Sequence, residues 1–446
     1  MNRVIRIRGG KKLQGGSIDI AGSSNQVTKA IIASMLTDEP VTIKGAPEVD
    51  ERKIVEQLFS SLGGKVEHLE SGVVRVTAKT LDSFSISENL CQKNRISILS
   101  AGPLLHRFKR AEFSGLLGGD KIGKRPVNFH IDCLKMMGAK VQWENNRYYL
   151  SVDDKGLHGA HITLPFPSVM TTENILITAS LAKGRTIVEN AAIEPEIIEL
   201  TMMLQKMGAD ITQKPNRTFI IEGVKKLTGC ELRCLFDRNQ AISFAVAAIC
   251  TKGNVHLRGV QHNPVYPFLT FIQRMGAKFT INSQGLYVEA PAGSLHGTHI
   301  EVEVHPGFMT DWQQPFMVLF TQSQGVSLIH ETVFEERLGY TSYLRQMGAN
   351  ITLSTKCLGE APCRFRSKNH YHSAIINGET PLQGGQFKLP SDIRAGKCLV
   401  VAGLVAQGET ILENIHELER KYDNLVPKLQ EMGADLSLDV TPKVVP

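Results

Sequence analysis

EIIELTMMLQKMGADI, residues 196–211, carries the pattern from which the fold is read. Ile197, Leu200, Leu204 and Met207 stand three and four residues apart, the spacing that lines one face of a helix. Gly208 follows where a helix ends in a left-handed residue, a conformation in which a β-carbon is strained. Ile211, β-branched, then opens a strand. The short signature recurs six times: LGGKV 62–66, MGAKV 137–141, MGADI 207–211, MGAKF 275–279, MGANI 347–351 and MGADL 432–436. Its glycines, Gly63, Gly138, Gly208, Gly276, Gly348 and Gly433, are 75, 70, 68, 72 and 85 residues apart.

A second signature repeats in phase with the first: EPVTIKG 39–45, GRTIVEN 184–190, GNVHLRG 253–259, GVSLIHE 325–331 and GETILEN 408–414. Each is a glycine or proline turn before alternating β-branched residues, the pattern of a half-buried strand. Apolar, alanine-rich helices precede several of them, at 25–36, 172–182 and 241–250. A unit of this length holds two helices and several strands, beyond the 20–50-residue period of solenoids. The 446 residues would otherwise suggest about three domains; six units of one kind set that prior aside.

Composition narrows the function classes. Hydrophobic residues make up 42% and charged residues 21%, which excludes wholesale disorder. The net charge of +6 suits anionic ligands, but no clustered basic stripe points to nucleic acid. The longest apolar stretches, such as 241–250 and 398–406, fall short of the roughly 18 residues that span a bilayer. The basic start MNRVIRIRGGKKLQG lacks the apolar run of a secretory signal, so a soluble, cytoplasmic protein is expected. Eight cysteines are scattered: Cys91, Cys133, Cys230, Cys234, Cys250, Cys357, Cys363 and Cys398. The nearest pairs, Cys230 with Cys234 and Cys357 with Cys363, lack the CxxC spacing of zinc sites and read as reduced thiols. Neither a metal nor a cofactor is expected.

The six units, KLQGGSIDIAGSSNQ 12–26, GGDKIGKRP 118–126, NAAIEPEIIEL 190–200, ETVFEERL 331–338, SDIRAG 391–396 and ERKYDNLVPKL 419–429 together resemble the enolpyruvyl transferases. The resemblance runs over the whole chain and is strongest to the UDP-N-acetylglucosamine 1-carboxyvinyltransferase family. It implies an α/β fold, the two-domain inside-out α/β barrel of the EPSP synthase type, with six βαβαββ repeats, three per domain. One domain would span 24–235; the other would combine 1–23 with 236–446, with crossing segments near Ser23 and Leu235. The implied reaction transfers the enolpyruvyl group of phosphoenolpyruvate to the 3′-hydroxyl of UDP-N-acetylglucosamine and releases phosphate, the first committed step of peptidoglycan synthesis. The implied partners are these two small molecules, with no nucleic acid and no membrane, and no oligomeric state is specified.

The resemblance also implies roles. Asp120 sits at the tip of a glycine-rich lid, where the family usually has a cysteine and some members an aspartate; it would be the general acid. Asp311 in MTDWQQPF matches the carboxylate beside the attacking hydroxyl and would be the base; it also stands where it would N-cap a helix beginning near Trp312, and the two roles are compatible. Arg95, Arg125, Arg394 and Arg420 match the family's anion-binding arginines, whose planar forks pair two oxygens of phosphate or carboxylate. Asn25 would bond the sugar. Pro126, Val127, Asn128, Ser168, Val169, Met170 and Val333 would line the nucleotide site, although Asn128 replaces an aspartate and Met170 a glycine. Glu194, Asp237, Arg238, Glu335 and Arg337 match recurrent positions that orient domains or touch substrate.

The largest departure is Ser24, where the family has a lysine that pairs with phosphoenolpyruvate. One charged hydrogen bond is worth about 1.5–3 kcal/mol. Lys29, five residues on, is expected to be solvated, and Lys121 and Lys124 lie in the lid. Three readings follow: the peptidoglycan enzyme with a rearranged set of cations, a paralogue with another nucleotide acceptor, or a non-catalytic nucleotide binder. Retention of Asp120, Arg125, Asp311, Arg394 and Arg420 favours the catalytic readings. With aspartate in place of cysteine at 120, thiol-alkylating epoxides are expected to inactivate the enzyme weakly; rapid adduct formation at Asp120 by mass spectrometry would refute this.

Overall fold

The computed structural model describes residues 2–119, 122–123, 127–361 and 363–441. The chain divides into two compact units, one of residues 1–21, 120–124 and 236–446, the other of 22–119 and 125–235.

Each unit holds three sheets built to one plan. In the second unit, strand Val41–Lys44 pairs antiparallel with Val73–Thr77, which pairs with Lys65–Glu70, while Glu231–Arg233 adds parallel to the first. The plan recurs around Arg185–Glu189, with His161–Thr163 as the parallel strand. It recurs in the first unit around Asn254–Arg258, Ser323–Glu331 and Glu409–Glu413. The sixth copy is completed from the far end of the chain: Asn2–Arg8 pairs with both Glu409–Glu413 and Asp435–Thr441. Burial alternates along these strands, so each sheet presents one face to the core and one outward.

The helices between the sheets differ in kind. Those before the glycine stops are amphipathic, as Pro195–Lys206 is. The others are buried on all sides: every residue of Arg238–Cys250 and of Gln313–Thr321 is buried, and all but the last of Ile393–Val405. These three pack against one another in the first unit. In the second unit Ser24–Ala33, Ala101–Phe108 and Val169–Ala179 take the equivalent places.

All six signature glycines have positive φ, from 90° at Gly433 to 102° at Gly208. The strand Arg110–Ser114 of the second repeat has no glycine or proline turn before it; Lys109 takes the left-handed position itself, at φ 57°. That substitution explains why the strand signature is readable in five repeats and not in this one. At Gly208 a β-carbon would meet nothing within 4 Å, whereas at Gly63 it would lie 2.5 Å from the Thr80 carbonyl oxygen. Gly208→Ala is therefore expected to lose about 1 kcal/mol from backbone strain alone, and Gly63→Ala distinctly more, read as shifts in the urea midpoint.

Candidate active site

In the first unit the buried helices bring their N-terminal ends, with their polar groups, into one cluster. The Asp237 carboxylate caps Arg238–Cys250 by accepting from the amides of Asn239 and Gln240, and Asp392 caps Ile393–Val405 through the Arg394 amide. Asp311 stands in the 3-10 turn Thr310–Trp312, one turn ahead of Gln313–Thr321. Its carboxylate caps neither the turn nor the helix, contrary to the expectation of an N-cap. It is held instead by two guanidiniums: Arg394 Nε donates to Oδ2 at 3.0 Å and Arg337 Nη2 to Oδ1 at 2.8 Å.

Burial would raise the Asp311 pKa. The Arg394 and Arg337 charges, with Lys421 beyond them, outweigh burial and hold the carboxyl well below the usual range. Arg394 also donates from Nη1 to the Tyr422 hydroxyl at 2.9 Å. Burial pushes that phenol up to about 12 against the pull of Arg394, so it remains protonated. Arg337 reaches a second carboxylate, Asp392, at 3.8 Å.

Lys397 lies one turn beyond Arg394. Its ammonium sits 4.0 Å from the Tyr422 ring centroid and 4.6 Å from that of Phe244, and has no hydrogen-bond partner among the described residues. Burial drives its pKa well down, with Asp237 opposing. Two buried guanidiniums meeting at the helix N-termini suit a multiply charged anion. Val333 is tied to the same region: its amide donates to Glu331 Oε1 at 2.6 Å, while Glu331 Oε2 accepts from Thr310 at 2.7 Å. Arg420 donates to Glu417 at 3.1 Å, at the end of a short helix, His416–Glu419.

The second unit places its candidates at the equivalent helix ends. Ser24 opens Ser24–Ala33, and its hydroxyl is buried with no hydrogen-bond partner among the described residues; Asn25 beside it is half-buried. Lys29 is buried, not solvated, with its ammonium 3.9 Å from Glu173 on Val169–Ala179. The expectation from helical phase erred because the helix is covered on every side. Ser168 precedes Val169–Ala179 and bonds the Thr171 hydroxyl at 2.8 Å; Val169 and Met170, half-buried, form its first turn. Val127 and Asn128 begin the helix Asn128–Met136.

Arg95 precedes the 3-10 turn Ile96–Ser100. Burial first, and the Arg95 charge second, push His130 down to about 3, so its imidazole is neutral and its Nδ1 meets the Asn174 amide at 3.1 Å. Asp120, Arg125 and Pro126 lie outside the described residues.

Sequence reasoning did not find His130, Tyr422 or Lys397. Lys397 had a readable signal, a lysine within the apolar run of SDIRAGKCLVV. Cys357 and Cys363 are free thiols, as expected, and stand with His330 and His372 in one cluster.

Six repeats of this topology, three in each unit, define the enolpyruvyl transferase fold. An enolpyruvyl transferase, NikO, from Streptomyces tendae superposes with a TM-score of 0.84 at 18% identity, over 99% of this chain and 100% of that one. EPSP synthase from Acinetobacter baumannii gives 0.73 at 19%, over 99% and 100%. The chain belongs to the EPSP synthase (3-phosphoshikimate 1-carboxyvinyltransferase) family, which it matches over residues 7–429. Within that family it is similar to the UDP-N-acetylglucosamine 1-carboxyvinyltransferases: 40% identical to that of Protochlamydia amoebophila over 98% of this chain and 94% of the relative. The Chlamydia pneumoniae enzyme of the same name is 39% identical over 95% and 92%. No helix among the described residues is long and apolar enough to cross a membrane.

The folded pKa of Asp311 lies below its unfolded value, so the carboxylate stabilises the fold above about pH 4 and that stability is lost as the pH falls further. Asp311→Asn leaves two buried guanidiniums facing a neutral amide and is expected to destabilise by roughly 3–5 kcal/mol at pH 7. The gap from the parent should narrow below about pH 4, and urea midpoints of both proteins across that range measure it.

Proposed function

We propose that this chain transfers the enolpyruvyl group of phosphoenolpyruvate to the 3′-hydroxyl of UDP-N-acetylglucosamine, releasing phosphate, as a cytoplasmic enzyme of cell-wall peptidoglycan synthesis. The observation that carries the reading is the near full-length likeness to enzymes of that name. The Asp311–Arg394–Arg337 cluster at the helix ends supports it with chemistry of the right kind.

Phosphoenolpyruvate brings a phosphate and a carboxylate to guanidiniums that already hold an anion. As long as Arg394 and Arg337 hold Asp311, its carboxylate is a poor base. When the substrate's oxygens take over Arg394, the carboxylate loses that stabilisation and its basicity rises, so substrate binding itself prepares the base. Asp311 then accepts the acceptor's hydroxyl proton as that oxygen attacks C2 of phosphoenolpyruvate, and Asp120 delivers a proton to C3. Loss of a C3 proton and of phosphate from the tetrahedral adduct restores the double bond. Arg95, Arg125 and Arg420 receive the anionic groups. Asn25 holds the sugar, and Pro126, Val127, Asn128, Ser168, Val169, Met170 and Val333 hold the nucleotide.

Ser24 brings no charge to its helix end. A second reading, the same reaction with another nucleotide acceptor, rests on Ser24, Asn128 and Met170 together.

Phosphate release from phosphoenolpyruvate, measured with UDP-N-acetylglucosamine and with a panel of other nucleotide acceptors, tests both. Release with UDP-N-acetylglucosamine supports the first reading, release only with another acceptor selects the second, and no release overturns both. If the lost cation is compensated, Ser24→Lys should change KM for phosphoenolpyruvate less than about tenfold, one charged hydrogen bond's worth.

A further inference from the structure

Four of the hairpins follow one plan, and a fifth departs from it. Strands Glu70 and Val73, Glu144 and Arg147, Lys214 and Thr218, and Asn282 and Gly285 are joined by two or three residues. In the fifth repeat Ile351–Ser354 and Ser373–Gly378 are joined by residues 355–372, whose described residues form no helix or strand. This insertion accounts for the 85-residue spacing between Gly348 and Gly433. A long structureless connection inside a compact unit calls for something to hold it.

The insertion carries Cys357, Cys363 and His372, and the end of the neighbouring strand carries His330. One ligand atom from each of the four lies within 4.8 Å of all the others. Cys357 Sγ is 3.3 Å from His372 Nε2. Both histidines are fully buried, and neither ring nitrogen of His330 has a hydrogen-bond partner among the described residues. An unsatisfied imidazole in such a place is costly unless a ligand meets it.

The surroundings favour a cation. His372 Nδ1 lies 2.7 Å from the His370 carbonyl oxygen, to which it can only donate, leaving the Nε2 lone pair toward Cys357. Such a carbonyl partner is the usual orienting contact of a metal-bound histidine. Cys363 Sγ accepts from the Phe365 amide at 3.3 Å, a contact that stabilises thiolate. The Glu301 carboxylate lies 3.9 Å from His330 Nδ1 and is fixed by the amides of Glu360 and Ala361.

We propose that His330, Cys357, Cys363 and His372 bind one Zn2+ in a closed tetrahedral site that staples the 355–372 connection to the end of strand Ser323–Glu331. Two thiolates and two neutral imidazoles balance the ion's charge, and two nitrogen with two sulfur ligands in a tetrahedron suit zinc. Zinc–sulfur and zinc–nitrogen bonds near 2.3 and 2.0 Å give ligand separations of about 3.3–3.8 Å. The Cys357–His372 pair is already at that spacing. With all four positions filled by protein the ion is structural, outside the chemistry at Asp311.

The full chain, purified without a metal-chelate step, loaded with Zn2+ and dialysed, is expected to retain about one zinc per chain by mass spectrometry. Cys357→Ser with Cys363→Ser should lose it and Cys230→Ser should keep it. Chelation should lower the thermal midpoint of the parent. Because the double variant could misfold, Co2+ exchange into the parent gives a second reading: intense tetrahedral visible bands with thiolate charge transfer are expected. No retained zinc, zinc retained by the double variant, a Cys357–Cys363 disulfide in the isolated protein, or an octahedral Co2+ spectrum would each overturn the proposal.

Discussion

A helix buried on every side can keep a charged side chain only where something compensates it, and in this protein that place is the N-terminal end. In Ser24–Ala33, Val169–Ala179, Arg238–Cys250 and Ile393–Val405 the charged residues are Lys29, Glu173, Arg238, Arg394 and Lys397, all within the first two turns. The positive end of the helix dipole lies there and suits Glu173 but not the cations, which carboxylates answer instead: Glu173 stands by Lys29 and Asp311 by Arg394. The rest of each helix is apolar or carries hydroxyls that return a hydrogen bond to the preceding turn, as Ser243 does to Asn239. The repeat fold thus collects polar groups at one end of each bundle of helices.

That constraint links stability to chemistry. The buried carboxylates near Arg394 are each tied to an amide or a guanidinium, and Asp311 is tied to two guanidiniums. These guanidinium contacts suppress the basicity of Asp311. Lys397 stands in the opposite condition, buried among aromatic rings with its charge only partly answered.

Much of the fold was legible in local pattern. The glycine after each amphipathic helix is readable because no other residue adopts that conformation as easily, and all six have the expected positive φ. The strand signature failed only at Arg110–Ser114, where a lysine takes the left-handed turn. Of the candidate residues, Asp311 and Arg394 prove to be in direct contact, although 83 residues separate them. Arg337, noted only as a recurrent position, completes that contact. Lys29 was misread because helical phase places a residue on a face but does not say whether that face meets water.

The sequence by itself determined the number of repeats, their periodicity, where helices stop, and the residue types at the helix ends, because these are properties of neighbours along the chain. Tertiary structure alone decided which charges meet. Asp311 pairs with two arginines instead of capping its helix, Lys29 faces Glu173, and two histidines and two cysteines from a strand end and a long connection converge on one point. Such contacts depend on how sheets and buried helices bring distant segments together, and no spacing along the chain encodes them.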